Sequence, residues 1–308
     1  MRLLDVRPFK FVGRFSKKRL HPTLLGAIYL GLIGTCVVHA DLLPDLSPLH
    51  LYGTFPSHLL ANHRAVTVLL PPGYEQSRRK RYPVVYFADG QNVFDTRDLT
   101  LFHKGTWQVD TLSAQMIRDH LIEPVIIVAI DNTSARADEY TPAEDTKYHA
   151  GGKADVYGQF LVEEVKPFVD SRYRTRTGPQ DSALVGSSLG GLATLTVGLA
   201  HPDVFGKLAV LSPSVFWADH EIIKRVDSLA TKSKGQVIYL YMGTGEGDEP
   251  VRFLQDARSL RDHLTAKGWE LGRDLIYEEG DSEKHEEPAW ARRVPHFLRF
   301  FFPVHSGG

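Results

Sequence analysis

Gly186-Ser187-Ser188-Leu189-Gly190, with Gly191 directly behind, matches the pattern G-x-S-x-G. A serine on a tight strand-to-helix turn presents its Oγ above a sheet, and the flanking glycines keep Cβ atoms out of crowded backbone. The surroundings fit that use. Ser182-Ala-Leu-Val185 reads as a strand leading in, and residues 192–199 read as a helix leading out. The helix start then offers the Leu189 N–H and the positive end of its dipole to charge developing on a carbonyl oxygen. The chemistry this implies is attack on an acyl carbon, with Ser188 as the nucleophile.

A serine hydroxyl is a weak nucleophile without a general base. In strand–serine–helix architectures an acid and then a histidine follow the serine, each on the loop after a later strand. His285, in Gly280-Asp-Ser-Glu-Lys-His285, follows the final strand candidate and precedes a helix; His201, His220, His263, His296 and His305 do not. For the acid, the run 237–242 leads into Gly243-Thr-Gly-Glu-Gly-Asp248-Glu249. Glu246 is the preferred carboxylate to hold the imidazole tautomer, Asp248 is the alternative, and Glu249 is a third. The glycines at 243, 245 and 247 also invite a phosphate-loop reading. Acids at or beside that loop would repel a pyrophosphate, and the dinucleotide spacing is absent. No His, Asp or Glu grouping has metal-ligand spacing, so neither a metal nor a cofactor is expected.

These residues need a sheet to hold them. Short β-branched runs alternate with amphipathic helical patterns, which predicts an α/β fold with a mostly parallel central sheet flanked by helices. Strands are expected at 65–70, 83–87, 125–130, 183–185, 207–211, 236–242 and 274–278. Helices are expected around Val156, Phe160, Val165 and Val169, from 190 to 200, where Pro202 ends the pattern, and from 288 to 302. Residues 90–123 and 131–153 read as loops over the site.

Composition sets the outer bounds. With 43% hydrophobic and 24% charged residues in 308, the chain is of globular type rather than disordered or disulfide-stapled. The first 40 residues carry seven Lys/Arg and only Asp5 as an acid. The whole chain has 36 Lys/Arg and 37 Asp/Glu, so the rest holds 29 bases against 36 acids. An acidic body without a basic stripe excludes nucleic acid as a partner. Lys17-Lys18-Arg19 precedes an apolar run at 24–38 that ends Val38-His39-Ala40. Residues 1–40 therefore read as a signal peptide or an N-terminal anchor, and 41–308 as one domain of a periplasmic or secreted protein, with no stable membrane association once the leader is cleaved. The single cysteine, Cys36, lies in the leader, and cleavage after Ala40 would leave neither disulfide nor thiolate chemistry.

Several stretches together resemble the Putative esterase family of α/β-hydrolases. They are Gly-Ser-Ser-Leu-Gly-Gly at 186–191, Phe87-Ala-Asp-Gly-Gln-Asn-Val-Phe-Asp95, Glu139-Tyr-Thr-Pro142, Gly151-Gly-Lys-Ala-Asp155, Leu211-Ser-Pro-Ser214 and His285-Glu-Glu-Pro-Ala-Trp290. The group takes in enterochelin (catecholate siderophore) esterases, feruloyl and acetyl-xylan esterases, and mycolyltransferases, and the likeness covers roughly residues 67–302. It implies the α/β-hydrolase fold and a second oxyanion donor, the Gln91 backbone N–H, beside that of Leu189. This chain has Phe87-Ala88 where the family often shows Leu-His or Tyr-Leu before Asp-Gly. Trp107, Arg136, Tyr140, His149, Ser187 and Trp217 fall on the expected site-side segments as candidates to contact substrate. Lys104, Arg136, Lys147 and Lys153 are candidates to draw in an anionic one. The expected function is a secreted serine esterase acting on small-molecule or carbohydrate esters through a Ser-His-acid triad. The alternatives are an acyltransferase on the same scaffold and a catalytically silent ligand-binding protein.

Overall fold

In the computed structural model the described residues are 36–37, 48–95, 105–247 and 249–304. The expected leader therefore lies outside them, apart from Cys36–Val37. Residues Gly34–Gly308 form one compact unit.

Its strands are β1 (Cys36–Val37), β2 (Leu49–Ser57), β3 (Asn62–Leu69), β4 (Val84–Phe87), β5 (Ile126–Ile130), β6 (Glu144–Asp145), β7 (Ala150–Gly151), β8 (Ser182–Ser187), β9 (Lys207–Leu211), β10 (Val237–Gly243) and β11 (Leu275–Gly280). Nine make one sheet in the order β1-β2-β3-β5-β4-β8-β9-β10-β11, and β6 and β7 make a separate two-stranded ribbon. From β5 to β11 every pairing is parallel, whereas β1, β2 and β3 join antiparallel. The inner parallel strands are buried on both faces, which is why several read as unbroken apolar runs such as Ile126-Ile-Val-Ala-Ile130, whereas the edge strand β11 is half-buried. On one face pack Tyr157, Phe160, Leu192, Ile222 and Leu260; on the other, Trp107, Met116, Trp290 and Phe297. Each such side chain contributes about 1.5–3 kcal/mol by leaving water.

The helices are α1 (Val109–Arg118), α2 (Arg136–Tyr140), α3 (Ala154–Gln159), α4 (Lys166–Arg172), α5 (Leu189–Ala200), α6 (Trp217–Ser228), α7 (Pro250–Ala266), α8 (Glu287–Ala291) and α9 (Val294–Phe301). Helix α1 falls within the stretch expected to be loop; its buried Val109, Ser113, Ala114, Met116 and Ile117 supply a thin helical stripe amid polar residues. Strand β2 was not expected either. Gly53 and Pro56 interrupt its pattern, and its register slips between Tyr52 and Phe55. The expected C-terminal helix is two helices, because Pro295 has no N–H to give the Ala291 carbonyl and its ring crowds it. Among the described residues no helix is long and apolar enough to cross a membrane.

Candidate active site

Ser188 joins β8 to α5 with φ 58° and ψ −126°, a strained conformation for a residue other than glycine. Backbone bonds hold it there: its N–H donates to Leu211 O at 3.0 Å, and its carbonyl accepts from Leu192 and Ser214. The glycines are required by contact. A Cβ on Gly186 would lie 2.3 Å from Gly190 O, and one on Gly190 would lie 2.9 Å from Asp89 Oδ2.

The loops after β10 and β11 bring the acid and the histidine together. His285 Nδ1 lies 2.9 Å from Glu246 Oε2, with Glu246 only 2% exposed and the imidazole 38%. With Nδ1 engaged by the carboxylate, Nε2 is the ring nitrogen left for proton transfer. The other Glu246 oxygen, Oε1, accepts from Gly243 N–H at 3.0 Å and from Ser212 Oγ. Ser212 in turn accepts from Trp290 Nε1, whose ring meets the imidazole edge-to-face at 5.0 Å. The two loops are also tied to each other. Thr244 N–H donates to Gly280 O, Gly245 N–H to Glu283 O, and Ser282 N–H to Thr244 Oγ1. Glu283 is clamped by Tyr241, Arg292 and Arg293. Burial raises the Glu283 pKa, but these hydrogen bonds prevail and hold it below the usual carboxylate range. Of the other carboxylates, Asp248 lies outside the described residues, and Glu249 caps α7 and pairs with Arg252.

Ser188 and His285 line a single cavity of about 270 Å³. Its remaining wall is largely apolar, with Pro213, Phe216, Met242 and Phe253 beside Ser212, Ser214, Glu246 and Gly247, and among the described residues no lysine or arginine lines it. Phe216 and Phe253 touch at 5.6 Å between centroids. Beside the start of α5 the turn Gly90–Asn92 carries Gln91. The bonds internal to that turn run through the Asn92 and Val93 amides, while Leu189 opens α5, where a backbone N–H has no acceptor within the helix.

The residues expected to touch substrate are placed otherwise. Trp107 is 4% exposed and packs its ring against Phe87 and Trp290 in the core. Tyr140 is fully buried, with its hydroxyl accepting from Asp89 N–H. Arg136 grips the Asp89 carboxylate through Nε and Nη2, both at 2.7 Å. Trp217 is buried, donates to Ala143 O and lies flat under the exposed ring of Tyr148, next to the cavity residue Phe216. Ser187 is buried at the end of β8, and His149 is exposed on the turn that joins β6 to β7. Of the expected cations, Lys153 pairs with Asp138, Lys147 sits over Tyr148, and Lys104 lies outside the described residues. Sequence reasoning assigned no role to Ser212, Trp290, Glu283, Phe216 or Phe253. Ser212 carried one usable signal, since it follows a strand directly at the carboxyl edge of the sheet, where sites gather.

The family model described as Putative esterase matches residues 57–301. The chain belongs to the Putative esterase family. With membership of the Putative esterase family comes the class of reaction, carboxylic ester hydrolysis. The chain is 25% identical over 226 residues to the uncharacterized protein YbbA of Bacillus subtilis, covering 70% of this chain and 84% of that one. It is 29% identical over 203 residues to the ferri-bacillibactin esterase BesA of the same organism, covering 59% of this chain and 66% of BesA. Among solved structures, the IroE-like serine hydrolase from Shewanella oneidensis superposes with a TM-score of 0.67 at 23% identity, over 82% of this chain and 80% of that one. This likeness places the architecture in the α/β-hydrolase fold.

Proposed function

We propose that this esterase works through a Ser188–His285–Glu246 triad and an acyl-enzyme, on esters whose acyl group is uncharged and small enough for the apolar cavity. The observation that carries the reading is the buried Glu246 holding Nδ1 of an imidazole that shares one cavity with the strained Ser188. Ser188 Oγ bonds to the carbonyl carbon as its proton passes to His285 Nε2. The oxyanion is met by the Leu189 and Gln91 amides, and losing one such donor typically costs about 10²–10³ in turnover. Collapse breaks the ester C–O bond, and the leaving alkoxide takes the proton from Nε2. Water, deprotonated by Nε2, then attacks the acyl-enzyme and releases the acid and Ser188. Among the described residues the cavity wall offers apolar contact and no cation, which favours a neutral acyl group over a polyanionic chelate. The basic cluster ahead of the apolar run 24–38 supports export as the cellular address.

The test is mass-spectrometric mapping of an alkyl fluorophosphonate on the purified protein. A single adduct on Ser188, absent in Ser188→Ala and strongly slowed in His285→Ala, is expected. A folded protein that takes no adduct overturns the mechanism.

A further inference from the structure

Asp89 occupies the seam between the two peptide segments that carry Gln91 and Leu189. It precedes the Gly90–Asn92 turn in the left-handed region, at φ 55° and ψ 47°, with its N–H on the Tyr140 hydroxyl. Its Oδ2 lies where a Cβ on Gly190 would come within 2.9 Å, so the carboxylate abuts the first turn of α5. The Asp89 side chain is 10% exposed. A negative charge in that place opposes a second negative charge forming on a substrate oxygen nearby, and low local polarisability strengthens the effect.

The structure supplies the counterweight. Arg136, on α2, meets both Asp89 oxygens in a bidentate pair, and Asn132 Nδ2 donates to Oδ1 as well. Burial lowers the Arg136 pKa, but the Asp89 hydrogen bond and charge outweigh it and raise the value above the ordinary one. Asn132 also gives its backbone N–H to Gln91 Oε1 at 3.1 Å, so the same short segment pins the side chain of the expected oxyanion donor. A paired buried carboxylate of this kind is weak as a source of stability and is suited to fixing geometry.

We propose that Arg136 is a positioning residue for ester hydrolysis: it cancels the Asp89 charge beside the oxyanion and locks the Gln91 turn against the start of α5. The proposal rests on the reading of Ser188 as the nucleophile.

The experiment compares wild type, Arg136→Gln and the double variant Asp89→Asn/Arg136→Gln in steady-state hydrolysis of p-nitrophenyl butyrate, with thermal melts for folding. Arg136→Gln is expected to lower kcat about a hundredfold while KM stays within about threefold, since the unpaired carboxylate acts on the transition state. The double variant is expected to recover at least about tenfold over Arg136→Gln, because the opposing charge has gone. A purely structural arginine gives no such recovery. The proposal is overturned if Arg136→Gln keeps kcat within about threefold of wild type, or if the folded double variant is no faster than the single. Should Arg136→Gln not fold, the double variant decides: kcat within about tenfold of wild type supports the proposal, and a folded but inactive or unfolded double variant overturns it. Failure of the underlying reading looks different, since wild type then takes no fluorophosphonate and Ser188→Ala hydrolyses the ester as fast as wild type does.

Discussion

Trp290 donates its indole N–H to Ser212 Oγ over 3.1 Å, and through that hydroxyl it steers the carboxylate that faces His285. Ser212 stands in the left-handed region at φ 43° and is almost wholly buried, so its hydroxyl has little choice of partner. The arrangement leaves Glu246 with a donor on each side: Ser212 and the Gly243 amide on Oε1, and the imidazole on Oε2.

Ser212→Ala removes the hydroxyl donor from Glu246 and strands the Trp290 N–H. A charge-assisted hydrogen bond is worth about 1.5–3 kcal/mol, so kcat is expected to fall by about one to two decades with KM nearly unchanged. Trp290→Phe keeps a ring against the imidazole and removes only the donor to Ser212, and is expected to cost less. Steady-state kinetics on one p-nitrophenyl ester checks both.

Glu246→Gln keeps the shape of the acid and removes its charge. A comparable neutralisation in serine hydrolases costs about 10⁴ in kcat, and a loss of about 10³–10⁴ is expected here. Asp248→Asn is expected to change kcat less than about threefold. Equal losses in the two variants would show that the acid on this loop is misassigned.

Phe253 and Phe216 line the cavity that Ser188 and His285 share. Phe253→Ala is expected to shift the ratio of kcat/KM toward longer acyl chains, by at least about tenfold between butyrate and octanoate, the low end of what one methylene is worth in an apolar pocket. A p-nitrophenyl ester series measures it, and an unchanged ratio means that the acyl group lies elsewhere.

Lys207 gives a pH signature of stability. Burial pushes its ammonium pKa down to about 8, despite Asp181 and Glu123, while Nζ donates to Phe301 O. A lysine with a depressed folded-state value costs stability at every pH below about 8, where both states are protonated. Between about 8 and the ordinary 10.5 the unfolded chain holds the extra proton, so stability rises with pH and the cost fades. Lys207→Met is therefore expected to flatten the dependence of unfolding free energy on pH across this window, as read by urea titrations at pH 7.5, 9 and 10.

Local pattern carried the sheet and the elements around Ser188. The central parallel strands are largely apolar runs and the serine turn has its own spacing, so both are written in consecutive residues. Strand β2 and helix α1 escaped because their apolar stripes are thin: β2 is half-exposed and broken by Gly53 and Pro56, and α1 is amphipathic within a polar stretch. The partners that orient the site escaped for another reason. Glu246 was legible on its loop, but Ser212 reaches it across 34 positions, Trp290 reaches Ser212 across 78, and Asp89 meets Arg136 across 47, distances that no local pattern encodes. The aromatic candidates fared worst, because residue type alone does not say which way a ring faces. Trp107 and Tyr140 turn into the core, while Phe216 and Phe253, not singled out, line the cavity.

The bonds that join the loop after β10 to the loop after β11 have a consequence for recombination. Thr244, Gly245, Ser282 and Glu283 lace the two together, and Glu283 is anchored again by Tyr241 from β10 and by Arg292 and Arg293 from the break between α8 and α9. Glu246 and His285 thus sit on one laced cassette running from β10 to the start of α9. Grafted whole into a related esterase, the cassette carries its own register for the histidine; cut between the two loops, it leaves a histidine whose aim is set by the wrong neighbours.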